Sequence, residues 1–166
     1  MNRTPKFSLA HRDEAMSGLV AVTDKKTLAI WAADCAERVI PYFETKFPDD
    51  PRPRQTLEAL QSWIETGVFR MVDIRKAALD AHAAAREVGE DSPARSAARA
   101  AGQAVSTAHV QTHSVAAVMY ARQAVFRDCI ASGAEAAEVD AAVAREREWQ
   151  YLHLVALRNV AEIDEP

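Results

Sequence analysis

The sequence predicts an all-α fold: a single-domain helical bundle of about six or seven helices, with a largely buried central helix. Three observations predict it. Alanine, the strongest helix former, supplies about a fifth of the residues, while glycine occurs only 5 times in 166. Apolar residues recur at helical spacing, and the period-two alternation of half-buried strands is absent. The run from Ala100 to Ala121 holds no Asp, Glu, Lys or Arg in a chain that is 27% charged, as suits a segment enclosed by other helices.

Residues Ser8 to Val22 can hold a short first helix. Thr23 or Asp24 caps a second, which places Leu28, Ala32, Cys35, Val39 and Phe43 on one face. Pro41 falls inside that pattern and predicts a kink or a restart. The prolines Pro48, Pro51 and Pro53 mark a loop. The helix after it, from about Arg54 to Glu65, turns Leu57, Leu60 and Ile64 inward and closes at Gly67. Val68 to Val88 reads as the next helix. In the loop from Gly89 to Pro93, Ser92 caps a helix whose first residue is proline. From Ala94 the helical pattern continues to Ala131, and Gly133 ends it. Unbroken, it would extend roughly 55 Å, whereas a domain of this length is only ~40 Å across. A break is therefore predicted near Thr107 to His113, where hydroxyl and imidazole side chains compete for backbone hydrogen bonds. The last helix runs from about Ala134 to Ala161. The chain, 1–166, reads as one domain, with an ordered core over about 24–162 and flexible ends at 1–7 and 163–166.

A net charge of −4 and a pI near 5.7 argue against a nucleic-acid partner, which usually meets a basic face. No stretch of ~18 apolar residues exists, and residues Met1 to Phe7 form no apolar leader, so a soluble, cytoplasmic protein with no membrane contact is expected. Cys35 and Cys129 read as two buried free thiols, which suits a reducing compartment. Glycine-rich phosphate loops, serine elbows, CxxC pairs and clustered carboxylates are missing, so no cofactor and no catalytic residue is assigned.

Polar residues on apolar stripes mark the candidate site. The charge-free run still holds Gln103, Ser106, Thr107, His109, Gln111, Thr112, His113 and Ser114, and buried polar groups need partners. At 100° per residue, Arg75, His82 and Arg86 share a face with Val72 and Leu79. Glu146, Gln150 and His153 share one with Val139, Val143 and Leu157. The candidates for a polar core or pocket are therefore Arg75, His82, Arg99, His109, His113, Glu146 and Gln150, with Glu146 meeting Arg75 or Arg99. His109 and His113 stand four apart, the spacing of two metal ligands on one helical turn, and Glu146 or His82 could be a third. Structural, hydrogen-bonding histidines are the simpler reading, and no metal is assigned. Asp34 and Arg38 read as an exposed helix pair. Trp31, Trp63 and Trp149 read as packing residues.

The run from Leu28 to Glu44, LAIWAADCAERVIPYFE, resembles the opening helix of the Imm-five-like bacterial immunity protein family. The Asp50-Pro51-Arg52-Pro53-Arg54 turn is similar to the same family. So are Ala100 to Ala104, Thr107 to Val110 with His113 and Tyr120, and the block Glu146 to Gln150. The likeness covers roughly residues 25–155. It implies a non-catalytic protein that binds and neutralises a bacterial toxin, and it brings no site residues with it. The residues leave an alternative open: a small helical enzyme or ligand-binding protein with a polar pocket around His109 and His113. A binder needs a satisfied polar core and an exposed aromatic or acidic patch; the alternative needs an open cavity where those side chains meet.

Overall fold

The computed structural model describes residues 5–164. Eight helices and no strand occur among them: α1 (Glu14–Ala21), α2 (Lys25–Glu37), α3 (Ile40–Lys46), α4 (Arg52–Thr66), α5 (Met71–Glu87), α6 (Pro93–Ser106), α7 (His113–Ala131) and α8 (Ala136–Asp164). They form a single domain, with one or two more helices than predicted, because the chain restarts at Pro41 and so divides the pattern from Lys25 to Lys46 into α2 and α3.

Helix ends follow side-chain chemistry. Asp24 caps α2 by accepting from the Thr27 N–H at 2.9 Å, and Ser92 caps α6, which opens on Pro93. Pro41 lies in the first turn of α3, where its missing N–H costs nothing. Gly67 closes α4 in the left-handed conformation, φ 68°, which a residue with a Cβ rarely adopts. Between α6 and α7 the Ser106 and Thr107 hydroxyls bond back to the carbonyls of Gly102 and Gln103, and the His109 ring reaches the Ser106 carbonyl at 3.0 Å. This is the competition that ends a helix. The turn exposes His109, Val110, Gln111 and Thr112, so the charge-free run is buried in α6 but not across the break.

α6 is the central helix. It packs against α2, α3, α4, α5 and α7. Its buried residues (Ala94, Ala97, Ala98, Ala100, Ala101, Gly102, Ala104 and Val105 among them) lie all round the axis. Small side chains let five neighbours approach one helix closely, and Trp31, Phe43, Leu28, Ile40 and Leu60 fill the larger spaces.

Three expectations are corrected. The first helix begins at Glu14 rather than Ser8, because Asp13 caps it and residues 5–13 form an irregular segment. α4 begins two residues early, with Pro53 in its first turn. On α5 the buried face is Ile74, Ala78, Ala81, Ala84 and Ala85, while Arg75, Val72 and Leu79 face solvent. Alanine carries the contact with α6 there, so the larger aliphatic side chains do not mark the inner face. The predicted flexible ends fall partly on residues 1–4 and 165–166, outside the described residues. Within them, Phe7 sits against Phe126 with ring centroids 5.6 Å apart, and α8 runs to Asp164.

Candidate functional site

Glu146 and Gln150 stand one turn apart on α8, both facing inward, at 6% and 0% exposure. A buried carboxylate needs a cation. Arg38, just past the last residue of α2, supplies it through Nε at 3.1 Å and Nη2 at 2.9 Å. The partner is therefore Arg38, not Arg75 or Arg99. Arg38 in turn lies 3.8 Å from the Trp149 ring centroid, and Trp149 stacks on His153 at 4.7 Å. The hydrogen bond to Glu146 raises the Arg38 guanidinium above its ordinary range. Asp34 does not pair with Arg38 but lies 2.7 Å from His153 Nε2.

The network continues through Gln150. Its backbone carbonyl accepts from Trp31 Nε1 at 2.8 Å, which seats the indole at the centre of the core. Its amide nitrogen donates to the Val118 carbonyl at 3.2 Å, and its amide oxygen accepts from Arg122 Nε of α7. Arg122 is 5% exposed, and burial pushes its guanidinium below the usual range. Asp13 lies 3.5 Å from Arg122 and takes two bonds from Arg147 at 2.8 Å. The Arg147 bonds are the main reason its carboxyl is held down at about 2. Cys35, wholly buried nearby, has its thiol pushed well above the usual range, first by burial and then by the Glu146 charge. No disulfide forms; Cys129 is a half-buried free thiol.

The remaining candidates sit elsewhere. His82 of α5 lies flat on α6 at Gly102: a Cβ there would fall 2.8 Å from its Cε1. His82 Nδ1 is buried without a hydrogen-bond partner. His113 Nδ1 lies 2.7 Å from Gln103 Oε1, and His113 stacks on the exposed His109 at 5.6 Å. Burial, and next the Arg99 charge, hold the His82 imidazole below its usual range; burial and then His109 do the same to His113. Arg99 stands 6.0 Å from the Tyr120 ring, and Arg75 is exposed on the far side of α5. The seven candidates thus separate into the Glu146–Gln150 network, a histidine cluster at the α5–α6–α7 edge, and surface arginine. Among the described residues no three His, Cys, Asp or Glu side chains converge as a metal would require. Sequence reasoning missed Asp13, Arg38, Arg122 and Arg147. Arg122 alone left a signal: it shares a face with Val115, Val118 and Val125.

The principal clefts lie away from His109 and His113. One of about 750 Å³ opens between the irregular segment over Lys6–Glu14 and the faces of α7 and α8, with Arg122 and Arg147 in its wall. A smaller one lies on the outer face of α5, and another in the groove between α4 and the start of α5. Among the described residues no helix is long and apolar enough to cross a membrane.

This is an all-helical domain in which the buried Glu146 carboxylate is held by Arg38 and Gln150 links it to Arg122 at the cleft edge. The chain belongs to the family described as Imm-5 like putative immunity protein, whose model matches residues 18–157. No curated protein and no solved structure matches the chain. The matched span takes in α2 to α7, the end of α1 and most of α8, but not Asp13 or the segment before it.

Proposed function

We propose that this protein is a cytoplasmic bacterial immunity protein that binds a toxin and neutralises it by occupying it, without chemistry. Membership of the immunity family over residues 18–157 carries the reading. The Glu146 network supports it, because a pocket built for turnover would leave such groups open to substrate. Two free thiols suit a reducing compartment.

The surface offers one face suited to a protein partner. α5 carries apolar side chains on both sides: Ile74 and its alanines pack inward, while Met71, Val72 and Leu79 continue the exposed Val68 and Phe69 outward, Val72 at 78% and Leu79 at 57% exposure. Contiguous exposed apolar side chains mark interaction sites. Within this face Arg70 pairs with Asp73 and Lys76 with Asp80, which leaves Arg75 with no carboxylate within 4 Å among the described residues. The toxin surface that fits is apolar at its centre and places a carboxylate against Arg75.

The test is rescue in bacteria that express the toxin encoded beside this gene. Unmodified protein should restore growth. Val72→Glu/Leu79→Glu should fail to do so at equal soluble expression, because neither side chain contributes to the core. Rescue undiminished by the double variant would remove α5 from the interface, and no rescue by the unmodified protein would remove the function itself.

A further inference from the structure

Arg122 is a buried cation without a full set of partners. Its Nε is spent on the neutral Gln150 amide. Its nearest carboxylate, Asp13, is 3.5 Å away, and both oxygens of that carboxylate already accept from Arg147 at 2.8 Å. Glu146 is held by Arg38, and Glu148 lies 3.6 Å from Arg147 at the cleft mouth. The terminal nitrogens of Arg122 make no hydrogen bond with any described group. They are not sealed in the core but face the cleft, where a ligand anion can take the place of water.

The surroundings say what kind of anion. Arg122 lines the cleft of about 750 Å³, within the size range of small-ligand sites. Met119, Arg122 and Phe126 stand three and four residues apart on α7, and Val143 and Arg147 four apart on α8, so each helix offers an apolar rung beside a cationic one. Phe7 closes the third side against Phe126. We propose that this cleft binds a carboxylate carried on an aromatic body, the carboxylate meeting Arg122 and the ring lying among Phe7, Met119, Phe126 and Val143. A planar guanidinium with two free N–H groups matches a carboxylate in a forked pair, and an added ring extends the existing aromatic pair. Two walls belong to the family-matched span, and the third, residues 6–14, lies outside it. The site is therefore completed by a segment outside the family match. It is independent of the α5 face and of toxin binding.

A free aromatic acid and the C-terminus of a peptide share this chemistry. The test titrates isotope-labelled full-length protein with 3-phenylpropionate and with Gly-Gly-Phe, each against its uncharged amide, following the Met119 and Val143 methyls and Arg122 Nε–H by NMR. At least one acid should shift these signals saturably, with an affinity at least about tenfold above its amide, the scale of one charge-assisted pair. Which acid does so identifies the source. Arg122→Met should reduce acid binding to the level of the amide. If that variant does not fold, the comparison of acid with amide on unmodified protein still decides. Equal binding of acid and amide, shifts confined to other parts of the molecule, or binding of neither acid would overturn the proposal.

Discussion

Replacing Glu146 by alanine tests the interior network most sharply. Glu146 is 6% exposed and accepts from Arg38 through two nitrogens, at 3.1 and 2.9 Å, with a longer bond from Gln150 at 3.4 Å. Removing one member of a fully buried pair costs about 3–5 kcal/mol. Here the orphaned Arg38 has a side chain 41% exposed, so water can solvate it. What is lost is the charge-assisted bonding, about 1.5–3 kcal/mol. Gln150 keeps its bond to the Val118 carbonyl. A loss of about 2–3 kcal/mol is expected. Arg38→Ala should cost at least as much, since it strands the more buried partner. The double variant should fall short of the sum by about 1 kcal/mol or more. Glu148→Ala, at 59% side-chain exposure, should change stability by about 0.5 kcal/mol or less. Urea unfolding followed by circular dichroism measures all four. A Glu146→Ala protein as stable as Glu148→Ala, or strict additivity with Arg38→Ala, would refute the pairing.

Gly102→Ala should destabilise although alanine favours helix by about 1 kcal/mol, because its Cβ would fall 2.8 Å from the His82 ring. In a His82→Ala background the same change should become stabilising, and urea midpoints of the four proteins check both signs. His82 and His113 titrate below their ordinary value of 6.5, chiefly through burial. The unfolded chain therefore binds protons first, and stability is full above about pH 6.5 and declines as pH falls through the folded-state values. Unfolding midpoints should drop between about pH 7.5 and about pH 5.5, with a smaller drop in His82→Gln; a flat profile would exclude this. Iodoacetamide should modify Cys129 in the native protein and Cys35 only after unfolding, because the thiolate is the reactive species and Cys35 is wholly buried with a raised thiol. Mass spectrometry of timed samples would show equal labelling if that were wrong.

Local chemistry was legible in the sequence where it acts over a few residues. Asp24, Ser92 with Pro93, Gly67 and the hydroxyl cluster at Thr107 set helix ends through bonds spanning two to four positions, so spacing alone locates them. The inward side of α8 was legible too, since Glu146 and Gln150 share a stripe with Val139 and Leu157. The α5 face was not, because alanine makes the inner contact there and the larger side chains are left outside. Nor were the partners: Arg38 and Glu146 are separated by 108 positions and meet only because α2 crosses α8. Arg38 also had a plausible local partner in Asp34, and the deeper carboxylate wins because it has no access to water. Asp13 and Arg147, separated by 134 positions, meet for a similar reason of packing.

The most direct measurement is calorimetric titration of the purified protein with a purified candidate toxin taken from the neighbouring genes. One-to-one binding is expected, weakened at least about 100-fold by Val72→Glu/Leu79→Glu, as suits loss of two central apolar contacts. A toxin that stays active and forms no complex with the unmodified protein would contradict the reading of this chain as an immunity protein.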